Sequence, residues 1–455
     1  MTQYEKMTKT PVSKLICTLS VPTIISMLVT NIYNMADTAF VGQLGTSASG
    51  AVGVVFGFMA ILQAVGFMFG QGCGSIVSRL LGAKKEDRAS VIASTGFFGA
   101  FFTAIILGVL GLIFIDPLVK ILGSTDTIAR YAKIYITYIL FAAPFMVPSF
   151  TLNNILRYEG KAALGMIGMM SGAVLNIVLD PILMFGFKMG IHGAGLSTAL
   201  SQVVSFSILI SMFVRGKSIT KLRLNYFFEG LPEIGNICAT GLPSLLRQGL
   251  GSLTTMCLNF EAAVYGDAAV AAMSIVSRVS FFVFSFSLGI GQGFQPVCGF
   301  NYGAGKYQRL RKAFWFTAAL AEGLVILMCI PVIIQSPYIV RIFRDDPEVI
   351  EIGTRALNLQ LWATLFLPPC MVTEMMYQST GHRFGASLMS ALRSGLLFIP
   401  MLLMLAAVRG LPGIQEAQPL STVLSIIPMI IFLTIFMKKL PNEDAEDPKE
   451  AVENS

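Results

Sequence analysis

The sequence predicts an all-α integral membrane protein, with twelve transmembrane helices in two six-helix pseudo-symmetric lobes. Three observations carry this. Hydrophobic residues make up 55% of the chain against 13% charged, with a mean hydropathy of +0.73, far from a soluble composition. The apolar residues collect in runs of ~20 or more, long enough to cross a bilayer as helices. Positions 221 residues apart match repeatedly: Pro22 with Pro243, Gly45 with Gly266, Gly70-Gln71-Gly72 with Gly291-Gln292-Gly293, Gly82-Ala83 with Gly303-Ala304, Lys85 with Lys306, Arg88 with Arg309, and Gly160 with Gly381. That offset spans six helices, an even number, so both copies enter the membrane from the same side and are related by an axis along its normal.

The apolar runs place spans near 15–39, 51–76, 91–115, 131–156, 163–187, 193–214, 237–262, 269–297, 313–335, 352–378, 384–408 and 414–437. They are too long for barrel strands and lack a barrel's alternation. Residues 1–14 form an N-terminal segment, 15–214 the first lobe, 215–236 a linker, 237–437 the second lobe, and 438–455 a polar tail expected to lack fixed structure. The polar Met1–Lys14 leads straight into a full-length span, so membrane insertion by that span is expected rather than by a cleaved signal. Of the 32 Lys and Arg residues, 21 fall on alternate loops and the termini, which puts both termini and the linker in the cytoplasm. The loop carrying Arg341, Arg344, Asp345, Asp346 and Glu348 has nearly balanced charge and is expected outside.

The same distribution makes the net charge of +7 a topology signal rather than a nucleic-acid footprint. The seven cysteines lie in predicted spans or, for Cys298, directly at a span's end, with no zinc-like spacing to His192 or His382, and read as small apolar residues. RGKS at 215–218 has Ser211 where a phosphate loop needs its first glycine, and no strand precedes it, so no nucleotide is expected. No cofactor is expected, and no spacing of nucleophile, base and orienting group supports an enzyme. Active transport would then draw on an ion gradient. The repeated GQG reads as close helix packing through small residues.

Pro22–Gly42 is the stretch around which the rest is organised. At 100° per residue, Ser26, Thr30, Tyr33 and Asn34 fall within about 60° of Asp37, so one face of an apolar helix is polar and ends in an acid. Burying an unpaired charge at bilayer depth costs about 2.5 kcal/mol or more, which marks such an acid as functional. Pro22 leaves the carbonyl of Thr18 without its usual partner and predicts a bend. In the fifth span, Asn176 and Asp180 stand four residues apart on one face, just before Pro181. At ~1.5 Å per residue Asp37 lies ~34 Å beyond Lys14 and Asp180 ~28 Å beyond Lys161, so both acids belong to the outer half of the bilayer. The 221 offset carries them to Leu258 and Met401, which confines the pair to one lobe. Glu261, Glu322 and Glu374 are further intramembrane acids, with Arg247, Arg278 and Arg393 the intramembrane bases. A structural ion pair is expected for Glu322.

Twelve spans in two like-oriented halves, Pro22, Tyr33 and Asp37 in the first span, and Asn176 with Asp180 in the fifth resemble the multidrug and toxic compound extrusion (MATE) family, in its bacterial branch named for a DNA-damage-inducible protein. The resemblance covers residues 11–437. It implies export of organic cations and drugs from a bacterium across its inner (cytoplasmic) membrane, in exchange for protons or sodium, by alternating access. It also implies that Pro22, Tyr33, Asp37, Asn176 and Asp180 form the cation-coupling site, with sodium as an alternative occupant at Asp37 and Asp180. Tyr135 and Asn153 match further family positions, and Glu261 and Glu374 match acids of another branch's second lobe. These four are assigned here to substrate, with Glu261 and Glu374 attracting its positive charge. A monomer in contact only with lipid and small molecules is expected.

Two rival readings are a lipid-linked saccharide flippase of related two-lobe fold, which would present a basic cavity, and a passive channel, which needs neither the repeat nor a one-sided acid pair. The 24 Met and 34 Phe residues suit adaptable apolar walls for varied substrates.

Overall fold

The computed structural model describes residues 2–124 and 126–445. Among these residues the chain is helical throughout its regular structure, with no strand, and the twelve expected spans are present. The first six run Val12–Gly42, Thr46–Gly82, Glu86–Ile113, Asp126–Tyr158, Ala162–Pro181 with a π-helical turn at Ile182–Gly186, and Ile191–Val214. The second six are Ile234–Ala263, Asp267–Gly303, Tyr307–Ile334, the pair Pro347–Thr364 and Leu367–Ser379, the eleventh span Arg383–Ala391 with a π-helical turn at Leu392–Leu396 and Phe398–Arg409, and the pair Leu411–Leu424 and Ile426–Lys439. Ten spans are apolar and long enough to qualify on hydropathy alone. The seventh is diluted by Arg247, Glu261 and its Ser and Thr residues. The tenth carries Glu348, Glu351 and Arg355 in its first helix and breaks before Pro368 and Pro369, which cannot donate backbone hydrogen bonds.

The repeat holds to the residue at several helix ends. Starts at 46, 86, 126 and 162 recur at 267, 307, 347 and 383, and ends at 82, 113 and 158 recur at 303, 334 and 379. The turns recur with them: Gly45 and Gly266 have φ of +111° and +95°, and Gly160 and Gly381 have +79° and +89°. Only glycine enters that region without strain, so these matches are turn chemistry.

The chain divides into two compact units, Ile25–Leu245 on the one hand and the residues up to Ile24 with those from Leu246 onward on the other. The divisions therefore fall within the first and seventh spans, at repeat-related positions, rather than at the linker 215–236. GQG explains why those helix halves belong where they do. In the first unit a Cβ on Gly72 would lie 2.2 Å from the carbonyl oxygen of Ile237, and one on Gly241 would lie 1.9 Å from that of Met68. In the second unit a Cβ on Gly293 would meet Ser20 Oγ at 2.2 Å, and one on Gly289 would meet Ile24 Cγ1 at 2.5 Å. The glycines let the seventh span's first half pack on the second span, and the first span's first half on the eighth.

The linker is anchored to the first unit by a buried acid. Glu159 accepts from the backbone N–H of Ile219 and Thr220, at 2.9 Å each, and from the hydroxyls of Ser218 and Thr220 at 2.7 and 2.6 Å. Burial pushes its carboxyl up from the ordinary range while these donors pull it back. Ser90 and Ser94 extend the seam, accepting from the backbone N–H of Lys221 and Arg223 at 3.1 Å each. At the repeat-related loop of the second unit, Asp444 accepts from Gln308 N at 3.0 Å and Ala445 N donates to Gly305 O at 2.9 Å. Residues 446–455 of the expected tail lie outside the described residues.

Candidate functional site

The acid pair foreseen in the sequence is assembled in the first unit. Asp37 sits near the end of the first span and is 7% exposed; Asp180 closes the α-helical part of the fifth span and is fully buried. Directly after Asp180 the backbone passes through Pro181 into the π-helical turn, a feature that offsets the helix and re-aims the residues beside it. Gly193 lets the sixth span close on that turn, since a Cβ there would stand 2.7 Å from the backbone carbon of Leu183. The carboxyls of Asp37 and Asp180 lie within electrostatic reach of each other. Asp37 Oδ1 is buried with no partner among the described residues.

Around the pair the polar groups are ordered. With the Asn176 amide oriented as its neighbours require, its nitrogen donates to Asp180 Oδ2 at 3.0 Å, and its oxygen accepts from Ser197 Oγ at 3.1 Å and Thr198 N at 3.3 Å. Tyr135, fully buried on the fourth span, is 3.4 Å from Thr198 Oγ1. Tyr33, one turn before Asp37 on the same face, lies within electrostatic reach of both acids. Two buried carboxyls within reach of each other cannot both stand bare; one positive charge between them relieves their repulsion and supplies Oδ1 with a partner. The centre thus presents two acids from two helices, backed by hydroxyl and amide groups. Ser197 and Thr198 were not singled out in the sequence. Their signal was weak, two hydroxyl residues after Gly193 and Gly195 in an apolar run.

Other expected residues lie apart. Pro22 stands eleven residues before Tyr33 on an unbroken helix, about 16 Å along the axis, and belongs to the second unit. Asn153 is eighteen residues beyond Tyr135 on the fourth span, about 27 Å along the axis. Its side-chain oxygen crowds Gly165 at the start of the fifth span, where a Cβ would come within 2.3 Å. Glu261 is partly buried, with no ion pair or side-chain hydrogen bond among the described residues.

Glu374 corrects the expectation of an acid that attracts cations. It is 1% exposed and accepts from Arg247 Nη1 at 2.8 Å and from Arg393 Nη2 at 3.1 Å. One carboxylate shared by two guanidiniums presents no free negative charge to a substrate. The expected ion pair of Glu322 is also absent among the described residues: its Oε2 is buried without a partner. Arg278, a conceivable partner, is exposed.

A helical membrane chain whose halves repeat, and whose buried polar centre is two acids on two different helices, has the build of a membrane transporter. The family model for MatE matches residues 22–182 and 243–405, two segments whose starts are 221 residues apart, and the chain belongs to that family. It is 28% identical over 442 residues to the multidrug export protein MepA of Staphylococcus aureus (strain MSSA476), covering 96% of this chain and 97% of that one. It is 27% identical over 440 residues to MepA of Staphylococcus saprophyticus, with the same coverage. Among solved structures it resembles a MATE transporter in complex with MaL6, with a TM-score of 0.89 at 25% identity over 96% of this chain and 99% of that one. An outward-facing multidrug resistance MATE transporter shares the fold at a TM-score of 0.90 and 24% identity, over 97% and 99% of the two chains.

Proposed function

We propose that this protein exports organic cations and other drugs across a bacterial inner membrane, in exchange for protons or sodium, by alternating access, with both termini in the cytoplasm. The observation that carries the reading is the Asp37–Asp180 pair with Asp37 Oδ1 left unpartnered. A seat that needs one positive charge takes a proton or sodium from outside, and gives it up when a cationic substrate offers the charge instead. Competition for one charge is what makes exchange obligatory. The membrane potential adds about 2.3 kcal/mol per charge per 100 mV to inward cation movement. Tyr33 and Tyr135 line the seat, and Asn176 with Ser197 and Thr198 holds Asp180 in register. The names of the staphylococcal relatives, multidrug export proteins along nearly the whole chain, support the substrate class.

Proteoliposomes preloaded with a fluorescent organic cation provide the test. Efflux should appear when a proton or a sodium gradient is imposed and vanish when both are collapsed. Flux that persists with no gradient would favour a channel. A flippase would need free basic groups in a cavity, and the converging pair Arg247 and Arg393 already shares Glu374.

A further inference from the structure

We propose that the linker between the halves carries a lipid anchor: its short amphipathic helix, Leu224–Gly230, lies in the cytoplasmic leaflet and gathers anionic phospholipid headgroups beside it. At 100° per residue its positions fall on three faces. Phe227 and Gly230 point to the third span. There the Phe227 ring lies 5.9 and 5.4 Å from those of Phe98 and Phe102, and a Cβ on Gly230 would meet Thr95 Oγ1 at 1.9 Å. Asn225 and Glu229, four residues apart, form an exposed polar face. Between these two faces lie Leu224 and Phe228, joined by Leu231 in the 3₁₀ turn that follows, and the three are 49%, 61% and 41% exposed. A stripe of large apolar side chains left uncovered is unfavourable in water and is accommodated by acyl chains.

The third span supplies the depth. Its Ser90 and Ser94 pin the backbone of Lys221 and Arg223, and Phe98 and Phe102 lie about 6 and 12 Å further along that helix than Ser94. The bases therefore sit at one level and the aromatic rings one to two turns deeper, the layering of a membrane interface. Phe102 is itself exposed, as are Ile106, Val109 and Leu110 beyond it, so the apolar stripe of the linker helix adjoins the exposed stripe of a transmembrane span. Arg215, Lys217, Lys221 and Arg223 precede the helix, all exposed and with no ion pair among the described residues. Arg223 rests 5.6 Å from the ring centre of Tyr226, which keeps its charge beside the helix. Against these four bases stands Glu229, since Glu233 is held by Arg88 at 2.7 Å. A zwitterionic surface offers such a cluster no net charge, whereas an anionic one attracts every base in it. The choice of leaflet rests on the topology proposed above, and the cytoplasmic leaflet is the one that carries the negative surface potential.

Full-length protein carrying Trp315→Phe, Trp362→Phe and Phe228→Trp is reconstituted in nanodiscs of phosphatidylcholine and phosphatidylglycerol in equal amounts, with the acyl chains of one or the other brominated. Both brominated lipids should quench the indole at position 228, and brominated phosphatidylglycerol should do so about twofold more strongly or better. Lys221→Gln with Arg223→Gln should keep the quenching and abolish the preference, while Arg344→Gln, on a different loop, should change neither. Both leaflets hold the same lipids, so neither a reversed topology nor a failure of ion-coupled export would alter these results. Where the tryptophan variant fails to fold, hydrogen exchange at 224–231 in the unaltered protein reads the same contact, and should be slower in nanodiscs containing phosphatidylglycerol than in phosphatidylcholine alone. An indole reached by acrylamide and not by brominated lipid, one reached by neither because a second copy or another protein covers it, equal quenching by the two lipids, or exchange indifferent to phosphatidylglycerol would overturn the proposal.

Discussion

Replacing Glu374 with glutamine removes one charge from a buried group of three and leaves size nearly unchanged. The carboxylate accepts from Arg247 at 2.8 Å and Arg393 at 3.1 Å, so at an effective dielectric of ~20 each contact is worth about 5 to 6 kcal/mol before desolvation. Desolvation of three charges cancels most of this. The net penalty for removing one partner of a buried pair is about 3–5 kcal/mol, since the remaining charges stay buried and now repel. Glu374→Gln is therefore expected to lower unfolding free energy in mixed micelles by about 3–5 kcal/mol. Adding Arg393→Gln to it should recover part of that loss, with a coupling of at least about 1 kcal/mol in the double-mutant cycle. A loss below about 0.5 kcal/mol, or strict additivity, would refute the idea that the three charges act as one group.

Three further outcomes are expected. Gly241→Ala forces a Cβ within 1.9 Å of the Met68 carbonyl oxygen and should cost about 1–3 kcal/mol by thermal unfolding, whereas Gly53→Ala, with nothing within 4 Å, should be close to neutral. Glu159→Ala leaves four donors without their acceptor, so amide exchange at 218–220 should accelerate while the spans stay protected. A membrane-impermeant thiol reagent applied to intact cells should label Arg344→Cys, on the exposed loop, and spare Lys217→Cys; labelling of the latter would reverse the proposed topology.

The repeat and the acid pair were legible because each rests on local chemistry. Positive-φ glycines at Gly45, Gly160, Gly266 and Gly381 mark turns wherever they recur, and an acid on a polar helical face stands out against an apolar background. Asn176 and Asp180 share a face by spacing alone. The Arg247–Glu374–Arg393 group was hidden because its members stand 127 and 19 residues apart on three helices, and helical periodicity says nothing about which helices meet. Asn153 and Tyr135 were each matched to the family by likeness, and axial rise alone already separates them by about 27 Å. The unit boundaries inside the first and seventh spans were illegible for a similar reason. Each helix reads as one apolar run, and its division depends on glycines of other helices, Gly72 and Gly293, meeting its first half.

The central claim is that Asp37 and Asp180 together hold the one charge that is exchanged. Its most direct measurement is counter-ion flux in proteoliposomes carrying Asp37→Asn or Asp180→Asn, each of which keeps side-chain size and hydrogen bonding while removing the ability to carry a negative charge. Both variants should fold and bind an organic cation measurably, yet neither should drive its efflux with a proton or sodium gradient. Gradient-driven efflux at the unaltered rate in either variant would contradict the claim and move the coupling site away from this pair.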